Sequence, residues 1–87
     1  MLQTLVLVIS LEDQGLDAAQ ALEIRNALED QIEDNTDAEV VAGGARTDGA
    51  EIDLQLTTAD TATTMAFIQG LLAHAGLDDG YSLEVAS

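Results

Sequence analysis

Leu5-Val6-Leu7-Val8-Ile9 is the most apolar run of the chain, and the remaining elements are organised around it. All of its side chains are apolar, on both parities, so a strand formed here has no wet face. Such a strand belongs inside a sheet, with cover on both faces or at least neighbours on both edges. It extends over about Leu2 to Ile9, and the rest of the chain reads as material that covers it.

Ser10 to Gly15 follows as a loop. Asp17 then carries the signature of a helix N-cap, with Gln20 as its capping-box partner and Leu16 placed to staple onto Ala21. The helix runs to about Asp34, with Ala21, Ile24, Leu28 and Ile32 at helical spacing as its buried stripe. Arg25 and Glu29 stand four apart and can pair. Ala38 to Ala42 reads as a short strand, Glu39 and Val41 on one face, Val40 and Ala42 on the other. Gly43 to Gly49 reads as a turn region, with Asp48-Gly49 its strongest signal. Glu51 to Thr57 alternates, with Ile52, Leu54 and Leu56 in and Glu51, Asp53 and Gln55 out. Asp60 or Thr58 caps a second helix that runs to about Ala75. Its stripe is Met65, Ile68, Leu72 and Ala75, widened by Phe67 and Leu71, and Gly76 is its natural end. A tight connection, Leu77 to Gly80, leads to a last strand in which Tyr81, Leu83 and Val85 alternate with Ser82, Glu84 and Ala86.

The order strand, helix, strand, strand, helix, strand in one 87-residue domain (1–87) predicts an α+β, ferredoxin-like split βαβ fold: a four-stranded antiparallel sheet with two helices on one face. Right-handed crossovers put the first and third strands in the centre, which suits their being the most apolar.

Composition narrows function more than any motif does. Apolar residues make up 47% of the chain, enough for a small core. Cysteine is absent, so there is neither a disulfide framework nor a thiolate metal site. No apolar run reaches the ~18 residues of a membrane span, and the N-terminus lacks the basic flank of a signal peptide. The expectation is a cytoplasmic protein. Seventeen Asp and Glu face two Arg and no Lys, a net charge of −15. Such a chain repels nucleic acid and anionic membrane and attracts cationic surfaces.

Catalysis finds no support. His74 is the single histidine and sits near a helix end, where the dipole favours its protonated form. Gly43-Gly44 lacks the lysine of a phosphate loop, and Asp78-Asp79-Gly80 lacks the ligand spacing of a calcium loop and reads as a turn. No enzyme activity, metal or cofactor is expected. The architecture resembles that of the RNA-recognition domain, whose central strands stack bases on aromatic residues. Here the outward positions Glu51, Asp53 and Gln55 carry the opposite chemistry, so no direct nucleic-acid binding is expected.

Two acidic surfaces are the candidate sites. Glu29, Asp30, Glu33 and Asp34 crowd the end of the first helix and Asp37 follows it. The macrodipole is already negative there, so each acid costs ~0.3–1 kcal/mol at low salt. The open sheet face, by parity, shows Thr4, Val6 and Val8 with Asp53, Gln55, Glu84, Glu39 and Val41. Valines ringed by acids resemble an interface with an apolar centre and a charged rim. A homodimer through this face or an edge strand is the commonest use of such a domain.

The leading expectation is a non-enzymatic acidic protein that antagonises a basic, nucleic-acid-binding partner through Glu29, Asp30, Glu33, Asp34, Asp37, Asp53 and Glu84. Its composition resembles that of phage-encoded antagonists of host defence nucleases, which mimic nucleic acid, and of immunity proteins of nuclease toxins. The other expectation is a haloadapted cytoplasmic domain acting as a homodimer or small-ligand module. Even spacing of acids would favour adaptation. Ten of the seventeen lie between Glu12 and Glu39 and none between Thr61 and Ala75, which favours the antagonist.

Overall fold

Strand β1, Gln3–Ser10, lies between two antiparallel neighbours. The computed structural model describes residues 1–86; Ser87, the last residue of the expected domain, lies outside the described residues. After β1 and a short 3-10 turn (Glu12–Gln14) come α1 (Ala18–Asn35), β2 (Glu39–Ala45), β3 (Glu51–Thr58), α2 (Thr61–Ala75) and β4 (Tyr81–Val85). The sheet order is β2-β3-β1-β4 with every neighbouring pair antiparallel, the ferredoxin-like arrangement. β1 therefore has partners on both edges, but helices cover only one of its faces. Leu5, Leu7 and Ile9 on that face are fully buried, while Thr4, Val6 and Val8 on the other are half-buried.

The register aligns the core in rows. Leu7 stands opposite Leu54 and Leu83, and Ile9 opposite Ile52 and Tyr81. These rows meet Ala21, Leu28 and Ile32 of α1 and Ile68 and Leu72 of α2 in one cluster. Each fully buried Leu or Ile contributes ~1.5–3 kcal/mol.

The helix ends follow their sequence signals. The Gln20 N–H donates to Asp17 Oδ1 (2.8 Å) and the Asp17 N–H to Gln20 Oε1 (3.1 Å), closing the capping box. Asp60, not Thr58, caps α2, accepting from the Thr63 N–H at 3.2 Å. Gly76 ends α2 in the left-handed region, and the Leu77 N–H reaches back to the Leu72 carbonyl at 2.8 Å, a Schellman arrangement.

Three readings need correction. In α1, Arg25 lies in the buried stripe and Ile24 only at its margin. In α2, Thr64 joins Ile68 and Leu72 in the core, while Ala75 is exposed. The largest change is in β2, which continues through Gly43 and Gly44 to Ala45 instead of turning after Ala42. A bulge between Val40 and Ala42 reverses the parity, so Ala42 and Gly44 share a face with Glu39, opposite Gln55 and Asp53. Gly43 makes this possible. Its φ is +120°, and a Cβ there would overlap the Asp53 carbonyl oxygen, so only glycine lets the strands approach. The turn shrinks to Arg46–Ala50, closed by the Arg46 N–H donating to the Glu51 carbonyl at 2.9 Å. Among the described residues no helix is long and apolar enough to cross a membrane.

Candidate protein-binding surface

The acidic end of α1 is built by the helix's own terminus. Its last carbonyls are met by neutral donors: Asn35 Nδ2 donates to the Gln31 carbonyl (2.8 Å) and Thr36 Oγ1 to the Ile32 carbonyl (2.7 Å). No basic residue occupies the last turn. Three of the expected binding residues here hold the fold itself. Glu29 accepts from Arg25 Nη1 at 2.7 Å, and Arg25, only 8% exposed, also donates from Nη2 to the Ala42 carbonyl at 3.3 Å. This pair ties α1 to the bulged strand, leaving Arg25 Nε buried with no acceptor among the described residues. Glu33 Oε2 accepts from the Val40 N–H at 2.9 Å.

Asp37 joins two loops. One of its oxygens accepts from the Thr58 hydroxyl and the other from the Ala59 N–H at 3.1 Å. Because Thr58 gives its proton to Asp37, the buried Thr64 hydroxyl donates in turn to Thr58 Oγ1, at 2.9 Å. The result is a short polar chain running from the core to a carboxylate. The Thr58 hydrogen bond holds the Asp37 carboxyl below its ordinary pKa; desolvation opposes this and the Ala59 N–H adds to it. Glycine signals in β2 could have revealed the bulge. The buried hydroxyls had no such signal, since threonine at a strand end and a helix start reads as capping.

Asp30 and Asp34 differ from these three. Both are exposed, and neither has an ion-pair partner among the described residues. Asp34, Asp37, Asp60 and Thr63 line an open depression of ≈ 480 Å³ between the end of α1 and the start of α2. Among the described residues no group of three or more His, Asp or Glu is placed to hold a metal ion.

The second surface is the uncovered sheet face. One row runs Glu84, Val6, Gln55, Ala42, and the next Ser82, Val8, Asp53, Gly44. Glu39 and Glu51 lie at opposite ends, beside Thr57 and Ser10. Val41 sits in the bulge, 54% exposed. Asp53 and Glu84 are thus on one face, as expected, but on the far side of the sheet from the helix layer to which the α1 acids belong. Asp53 Oδ1 also accepts from the Gly44 N–H at 3.3 Å.

The second arginine, Arg46, pairs with Asp48 at 3.0 Å. Both arginines are therefore engaged within the chain. No protein-family model and no curated protein sequence matches this chain.

Proposed function

We propose that this chain is a non-enzymatic acidic binding protein that occupies the basic surface of a nucleic-acid-binding protein and blocks it. The observation that carries the reading is the disposition of charge. Both arginines have internal partners, so the remaining carboxylates have no cation of their own. Those carboxylates line the outer side of α1, the loops and the open sheet, while α2 carries none.

The charge density supports mimicry of nucleic acid. From Glu29 to Asp34 α1 advances ~7.5 Å at ~1.5 Å per residue. Discounting Glu29, which Arg25 neutralises, three carboxylates occupy that length, about one per ~2.5 Å against ~1.7 Å per charge for duplex DNA. A groove built for phosphate would be attracted to this edge over about a Debye length, ~10 Å at 0.1 M salt, and steered into contact.

The test starts with capture of the partner on immobilised protein and elution by salt. The isolated partner is then titrated with wild type, with Asp30→Lys/Asp34→Lys, and with duplex DNA as competitor. Glu33 is unsuitable for reversal because it holds β2. Wild type should compete with the duplex and bind more weakly as salt rises, and the double reversal should weaken binding at least about tenfold while the far-ultraviolet spectrum stays unchanged. Undiminished binding by the double variant would remove the α1 edge from the reading, and equal binding by Asp53→Lys/Glu84→Lys as well would remove the mimicry altogether. Unfolding of wild type below ~0.1 M salt would favour the haloadapted domain instead.

A further inference from the structure

The two edges of the sheet are treated differently. At β2 the chain bulges at Val41, and the Glu33 carboxylate takes the Val40 N–H. Both are devices that keep an edge from pairing with another strand. β4 has neither. It contains no proline, lysine or bulge, and its pairing with β1 is regular throughout.

The direction of the free backbone groups follows from two hydrogen bonds. The Ser10 N–H donates to the Gly80 carbonyl (2.7 Å) and the Ala86 N–H to the Thr4 carbonyl (2.8 Å). Hydrogen-bonded and non-bonded pairs alternate in an antiparallel ladder, so Ser82 and Glu84 bond to β1 while Tyr81, Leu83 and Val85 point their N–H and C=O groups outward. The same three residues place their side chains on the helix face, and Val85 there is still 45% exposed.

We infer that β4 is the contact between two copies of this chain, paired antiparallel about Leu83 to make one continuous eight-stranded sheet. In that register Leu83 faces its copy and Tyr81 faces Val85 of the other copy, so the outward groups bond to one another and the exposed valine is covered. On the open face Ser82 lies opposite the other copy's Glu84, and its hydroxyl donates to that carboxylate. No acid faces an acid in any directly opposed pair. The neighbouring helix agrees with this. α1 lies over β2 and β3, so α2 covers the β1–β4 half, and α2 has no carboxylate. A dimer through the open face would instead press Asp53 and Glu84 of each copy toward the acids of the other. This inference goes beyond the proposed function and does not depend on it.

Salt gives the two contacts opposite signatures. Each copy carries −15, so screening should strengthen the dimer while it weakens attachment to a basic partner. Sedimentation equilibrium of the full chain from ~0.05 to ~0.5 M NaCl measures the dimer directly. Ser82→Lys, which puts a cation opposite Glu84, should tighten dimerisation about fivefold or more, and Ser82→Glu should weaken it comparably. Asp53→Lys, two strands away, controls for net charge and should change it less than Ser82→Lys does. Val85→Pro removes an outward donor without touching the β1 ladder and should leave a folded monomer, checked by an unchanged far-ultraviolet spectrum. A monomer at every salt and concentration overturns the inference. So does a dimer that ignores Ser82→Glu and Val85→Pro, or one that Asp53→Lys tightens as much as Ser82→Lys.

Discussion

Leu54→Ala should be the most damaging single truncation in the sheet. Leu54 is fully buried at the middle of β3, opposite Leu7 on one side and Gly43 on the other. Removing three carbon atoms forfeits ~2.4 kcal/mol at ~0.8 kcal/mol per buried methylene. The hole then costs more the less it can collapse. Gly43 has no side chain to move in, and it is held against the Asp53 carbonyl, so β2 cannot close the gap. The total is therefore ~4 kcal/mol, in the upper part of the usual ~2–5 kcal/mol range. Leu28 is 5% exposed on α1, a helix that can settle toward the sheet, and Leu28→Ala should cost ~2.5–3 kcal/mol. Urea denaturation followed by circular dichroism in ~0.5 M NaCl separates the two. At a slope of ~1 kcal/mol per molar, the midpoints fall by ~4 M and ~2.5–3 M. Glu23→Ala, at an exposed helical position, should change the midpoint little. A Leu54→Ala midpoint at or above that of Leu28→Ala would refute the argument that Gly43 keeps the cavity open.

Two further outcomes follow from the charges. Salt should raise the thermal midpoint of wild type, since most carboxylates lack a cationic partner; a scan from low salt to ~0.5 M NaCl that stays flat would show that they are spaced well enough not to interact. Asp37 has a lowered folded pKa, so its stabilising effect is complete above the unfolded value of ~3.9 and is lost as pH falls through the folded one. The stability difference between wild type and Asp37→Asn should therefore be constant near neutrality and shrink only below about pH 4, and a difference independent of pH down to acid unfolding would remove Asp37 from the clamp.

Most of the architecture was legible because it rests on periodicity. The alternation in Ile52, Leu54 and Leu56, the stripe of Ala21, Leu28 and Ile32, and the caps at Asp17 and Asp60 are each written in a few neighbouring residues. What escaped depends on contacts between distant segments. The bulge that carries β2 past Gly43 is a statement about how near β3 passes, and a glycine pair reads locally as a turn. Arg25 read only as half of an i, i+4 ion pair with Glu29. Its burial comes from Ala42, seventeen positions away, whose carbonyl takes the guanidinium. The candidate binding residues were least legible of all. Glu29, Glu33 and Asp37 were conspicuous because acids at a helix end are costly, but Arg25, Val40 and Thr58 each supply a donor that accounts for one of them.

The acids fall into two physical groups. Glu33 and Asp37 accept from fixed donors at short range, so each carboxylate holds part of the fold. Asp30, Asp34 and Glu84 are exposed with no such donor among the described residues, and their mutual repulsion is the kind that salt removes. Only the second group adds to the field felt by an approaching molecule without also holding the fold. Only there does reversal of charge read out recognition and not stability. With that group on the α1 edge and the open sheet, the two proposed contacts of this chain would respond to salt in opposite directions. The proposed basic partner would be drawn to the acidic sides at low ionic strength. A second copy paired along β4, as inferred above, would bind most readily when the acids are screened.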